Sequence, residues 1–82
     1  LGNLKAVYLT GDISQGKDSG IIDMILLGDI DQKYLLSLIK KAEKLISRKV
    51  RYLVVNEVEF ENYKKASKEP ILLIWNSNGV VG

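Results

Sequence analysis

Between Gly20 and Gly28 the chain reads IIDMILL, an almost unbroken apolar run of strand length with one acid, Asp23, inside it. A strand packed on one face alternates apolar and polar residues, whereas a continuous run fits a strand covered on both faces. Ile21–Leu27 is therefore expected to be a central strand, and the rest of the fold has to be built around it. Gly28 and Asp29 end the run, because glycine and aspartate favour turns.

The flanking segments supply further elements. Lys5–Thr10, with Val7, Tyr8 and Leu9, reads as a first strand stopped by Gly11 and Asp12. After the central run, Asp31 is placed to cap a helix over Gln32–Ser47. There Leu35, Leu38, Ile39, Ala42, Leu45 and Ile46 recur at three- and four-residue steps and predict one apolar face against the core. Lys33, Ser37, Lys40, Lys41 and Lys44 fall largely outside that face. A third strand follows at Val50–Val55. Asn56, with Glu59 three residues on, has the pattern of a capping box that starts a helix over Glu57–Ser67. Its acids come first and its lysines last, as the helix dipole favours. Glu61 and Lys65 are spaced for an ion pair. Phe60 and Tyr63 are its expected buried side. Pro70 blocks continuation, and Ile71–Trp75 reads as an edge strand.

This order predicts an α/β domain of the α+β two-layer kind, with a mixed sheet of about four strands and two helices. The helix between the second and third strands allows those strands to be parallel through a right-handed crossover. The domain is expected over residues 1–75, with 76–82 a flexible tail. The start at Leu1, not Met, points to a domain cut from a longer protein.

Composition removes several function classes. The 82 residues contain no Cys and no His. Disulfides, thiolate metal sites and imidazole general bases are thus excluded, along with Ser-His-Asp and Cys-His enzymes. No apolar run approaches the roughly 18 residues of a membrane helix. No secretory signal opens the chain. A cytoplasmic domain without membrane association is the expectation. The net charge of +2 conceals a basic cluster, Lys40, Lys41, Lys44, Arg48, Lys49 and Arg51, against the single acid Glu43. No aromatic residue is interleaved with it, so a stacking platform for single strands is not indicated and direct nucleic-acid binding is not expected. Asp29 and Asp31 form an Asp-x-Asp pair, which a turn and a helix cap explain without a metal.

The stretch GDISQGKDSGIIDMILLGDID (residues 11–31), followed by an amphipathic helix, resembles the DNA polymerase beta-like nucleotidyltransferases, in particular their minimal-domain members. The resemblance runs from about Val7 to Tyr63. That family has Gly-Ser after the first strand, then Asp-x-Asp entering the second, and a third carboxylate from a later strand. Gly11 and Gly16 match loop glycines and Asp23 matches the second Asp. Asp12 stands in place of Ser, Ile21 in place of the first Asp, and Arg51 and Tyr52 near the third carboxylate. The family also usually has a helix before the first strand, for which Leu1–Lys5 is too short.

The resemblance implies a nucleotidyltransferase-like fold with a vestigial nucleotide pocket around Gly11, Asp12, Gly16, Ile21, Asp23 and Arg51. Phosphoryl transfer relies on metal ions to neutralise developing charge, and hard cations such as magnesium need several oxygen ligands. Ile21 offers none and Arg51 would repel a cation. A catalytically degenerate binding or regulatory module, without catalytic residues or cofactor, is therefore the leading expectation. Similar small domains resemble partners of winged-helix DNA-binding domains in bacterial regulators, which implies a transcription-associated role and such a domain in the same chain, or a homodimer. The alternatives are an active magnesium-dependent nucleotidyltransferase with Asp12 and Asp23 as reworked ligands, and a structural oligomerisation domain. Asp23, set among apolar residues, needs a partner, and the resemblance points to Arg51.

Overall fold

Ile21–Leu27 becomes the inner strand that its composition requires: Ile25, Leu26 and Leu27 are buried in succession, which needs cover on both faces of the sheet. The computed structural model describes residues 3–77. In chain order the elements are β1 (Leu4–Thr10), α1 (Gly11–Ser14), β2 (Ile21–Gly28), α2 (Gln32–Ile46), β3 (Lys49–Val55), α3 (Glu57–Ala66) and β4 (Leu72–Asn76). They form the mixed four-stranded sheet expected of the α+β class, ordered β3-β2-β1-β4. β2 runs parallel to β3, while β1 is antiparallel to both β2 and β4. None of the described helices is long and apolar enough to cross a membrane.

Successive strand residues alternate between faces, so the register sorts the core into two clusters. Val7, Leu26 and Leu35 are buried together, with Met24, Ile39, Tyr52 and Val54 packed around them. On the other face Ala6, Ile25, Leu27, Val55 and Phe60 form a second cluster, joined by Tyr8, Tyr63 and Ile71. The Tyr8 and Phe60 rings stack there with centroids 4.5 Å apart. α2 thus supplies Leu35 to one cluster and α3 supplies Phe60 to the other.

Both principal helices start where their caps direct. The Asp31 side chain accepts from the Tyr34 amide, and Asn56 and Glu59 form the reciprocal capping box. Arg48 Nη1 donates to the Ile46 carbonyl at the end of α2 (2.8 Å), and Ser47 takes the left-handed conformation as C-cap.

Four expectations need correction. The residues after β1 coil into the short helix α1, where a turn and loop were expected. In α3, Glu61 pairs with Lys64 rather than Lys65. Asn76, assigned to the tail, instead ends β4, and the Ser77 amide donates to the Lys5 carbonyl; 78–82 lie outside the described residues. The largest correction concerns α2. Leu35 is buried and Ile39 packs on the sheet, but Leu38 is 41% exposed and Leu45 86% exposed. At about 100° per residue, Leu35, Ile39, Ala42 and Ile46 centre on one line, while Leu38 and Leu45 fall roughly a quarter-turn to its side. The apolar stripe is wider than the strip of sheet that it contacts.

Candidate functional site

The cross-strand register sets Thr10 of β1 beside Asp23 of β2, and Asp23 beside Arg51 of β3. Residues in register on neighbouring strands share a face, so these three side chains form one row. Arg51 closes onto Asp23 as a fork: Nε donates to Oδ1 at 2.7 Å and Nη2 to Oδ2 at 3.0 Å. Such two-point pairs combine charge with fixed geometry. The Asp23 side chain is 23% exposed and Arg51 63%, so the carboxylate lies deeper and the guanidinium covers it from the solvent side. The fork, and after it the charge of Asp12, hold the guanidinium pKa above its ordinary value.

The neighbours of the row complete a pocket. Thr10, the buried polar residue at the end of β1, has its Oγ1 3.3 Å from the Tyr63 hydroxyl of α3. Gly11 turns out of β1 with φ +70°, and a Cβ there would come within 2.6 Å of Asp23 Oδ2. Glycine is thus required twice, for the backbone conformation and for the approach of the carboxylate. Thr10, Gly11, Asp23, Arg51, Tyr63 and Glu69 line a cavity of about 270 Å³. That lies just below the roughly 300–1,000 Å³ of typical small-molecule pockets.

Of the residues singled out from the sequence, Gly11, Asp23 and Arg51 meet in this pocket. Asp12 sits in the first turn of α1, near enough for its charge to act on Arg51. Gly16 lies past the end of α1 with φ +77°, away from the lining. Ile21 opens β2 opposite Lys49; strand alternation puts it on the face of Asp23, but it does not line the cavity. Tyr52 also lines the cavity, paired with Met24 one step along from the Asp23–Arg51 position.

Thr10, Tyr63 and Glu69 were not foreseen as pocket residues. Tyr63 was legible as a buried residue of α3, and Thr10 as the end of a strand. Nothing in the sequence joins two residues so far apart, and Glu69 follows α3 without any pattern.

Elsewhere the loop before β2 is held by Arg48, which forks onto Asp18 through Nε and Nη2, while the Gly20 amide donates to the same carboxylate at 3.0 Å. These bonds, the Arg48 fork first, lower the Asp18 pKa to about 2. Two of the six basic-cluster residues, Arg48 and Arg51, are thus committed to acids within the domain.

Among the described residues no three acids converge into a set able to hold a metal ion. The pocket offers one carboxylate already neutralised by a guanidinium, two hydroxyls and the Glu69 edge. That can accept or donate hydrogen bonds to a small polar group, while a cation approaching Asp23 would have to displace Arg51. Comparison with family models, with curated proteins and with solved structures found no match.

Proposed function

We propose that this chain is a catalytically degenerate nucleotidyltransferase-fold domain that serves as a binding or regulatory module. The observation that carries the reading is the two-point fork of Arg51 on Asp23, at the position where the resemblance requires carboxylates free to share metal ions. A bound arginine is a permanent cation in place of an exchangeable one. It leaves no open coordination site for a nucleotide phosphate. The parallel pairing of β2 with β3 and the contact of Gly11 with Asp23 support the descent of the pocket from such a site. On this reading the domain needs no cofactor and works in the bacterial cytoplasm, in a transcriptional regulator whose winged-helix segment binds the DNA. Holding such a regulator as a homodimer would be compatible with the same role.

A transfer assay tests the reading. The domain is incubated with magnesium and α-labelled ATP, GTP or CTP, and label on protein or small acceptors is followed. The expected result is no incorporation above an Asp23→Ala control. Magnesium-dependent labelling that Asp23→Ala abolishes would establish the enzyme and overturn the proposal.

A further inference from the structure

The two edges of the sheet meet solvent differently. At the β3 edge the Lys49 amide donates to the Gly20 carbonyl on the β2 side. The next amide, Val50, therefore turns outward, and there Glu43 Oε2 accepts it at 2.7 Å. Lys49 and Arg51, both exposed, place charge along the same strand. Charged side chains and covered main-chain groups are devices that keep an edge from pairing with another strand. β4, at the other end of the sheet, carries no charge: Ile71 to Ser77 reads ILLIWNS. Its Leu72, Leu73, Ile74 and Trp75 are nonetheless exposed, at 50%, 36%, 37% and 42%.

The register says what kind of element fits this edge. Trp75 pairs with Val7, which belongs to the cluster under α2, and Leu73 pairs with Tyr8, which packs in the cluster under α3. Paired residues share a face, so exposed apolar side chains stand on both faces of β4. A helix lying on one face leaves the other in water. A strand added to the edge borders both faces and pairs with the main chain as well. The composition of β4 suits a second copy of itself. An uncharged strand offers a charged partner nothing to be selected by. Two copies set antiparallel about a twofold axis are self-complementary, the commonest arrangement of soluble oligomers. Over Leu72–Asn76 the middle residue, Ile74, then faces its own copy, and no like charges meet along the strand. β4 is short, and the slip in register between Val7 and Tyr8 makes Ile74 the extra residue of a bulge; both features limit pairing. The interface is therefore smaller than the standard of about 1,600 Å², and the dimer is weak. We infer that β4 pairs with β4 of a second copy, antiparallel and centred on Ile74, so that the two sheets join into one. The inference rests on this edge and not on the pocket, so a nucleotide assay neither supports nor overturns it.

Sedimentation equilibrium of the chain tests it. The mass should double between about 1 μM and 1 mM protein, since standard-size interfaces begin near 1 μM and this one is smaller. Ile74→Lys and Ile74→Glu should each stay monomeric over that range, because like charges then meet at the axis. An equimolar mixture of the two should regain the doubled mass, which neither misfolding nor a general loss of stability would produce. Leu53→Lys, at an exposed position of the guarded edge, should dimerise like the unsubstituted chain. Hydrogen exchange gives a readout that needs no substitution: β4 amides should exchange more slowly as the protein is concentrated, and β3 amides should not. A single mass up to about 1 mM, or a dimer that both Ile74 variants retain, would overturn the inference. So would β4 exchange that stays constant while the mass doubles, because the copies would then meet elsewhere.

Discussion

Asp23 and Arg51 stand side by side on the parallel strands β2 and β3, joined by two hydrogen bonds of 2.7 and 3.0 Å. Adjacent strands lie about 4.8 Å apart, so an arginine in register with an aspartate can lay its fork across both oxygens without leaving the sheet. The pair neutralises Asp23 within the pocket, which is the basis for proposing a binding pocket and not a phosphoryl-transfer site.

Gly11 is expected to tolerate nothing larger. Gly16 also has a positive φ, +77°, but nothing lies within 4 Å of a Cβ there. Gly16→Ala should cost only the left-handed strain, about 1–2 kcal/mol. Gly11→Ala adds the collision with Asp23 Oδ2 and should cost clearly more in urea denaturation. Adding Asp23→Ala should recover part of that excess, because the collision is with that side chain.

Buried and exposed leucines of α2 should separate in the same experiment. Leu35→Ala removes a buried side chain from the Val7–Leu26 cluster and should cost about 2–5 kcal/mol, a large part of the stability of a small domain. Leu38→Ala and Leu45→Ala, both exposed, should stay within about 1 kcal/mol of the wild type. If Leu45→Ala matched Leu35→Ala, α2 would lie differently on the sheet.

This contrast shows where sequence stops being informative about the fold. The β2 run, the Asp31 cap, the Asn56–Glu59 box and the edge position of β4 are local or compositional signals, and all are legible. The arc of α2 that meets the sheet is not, because periodicity defines an apolar side but not how far around the helix contact extends. Leu38 and Leu35 look alike in the sequence and differ only in what the sheet presents to them. α1 was missed because so short a helix has no periodicity to read. In the pocket, Gly11, Asp23 and Arg51 were singled out through the motif resemblance. The Thr10–Tyr63 contact was not, since it joins β1 to α3 across most of the chain.

Acid should loosen the loop before β2. The Asp18 pKa is depressed to about 2, mainly by the Arg48 fork, so the stabilising contribution of the pair is fully present above the usual carboxylate value and is lost as pH falls through about 2. An NMR titration of the Asp18 carboxyl should place its midpoint near 2. In Arg48→Ala it should rise toward the usual value of about 3.9, the Gly20 amide retaining part of the shift. A normal midpoint in the wild type would mean that the fork does not persist in solution.

The central claim is that Arg51 has taken the place of the metal ions at Asp23, and isothermal titration with ATP, GTP and CTP, each with and without magnesium, tests it most directly. The account predicts no magnesium-dependent dissociation constant tighter than about 10 μM for any of the three. A magnesium-dependent constant below about 10 μM, corresponding to roughly 7 kcal/mol of binding, would contradict it.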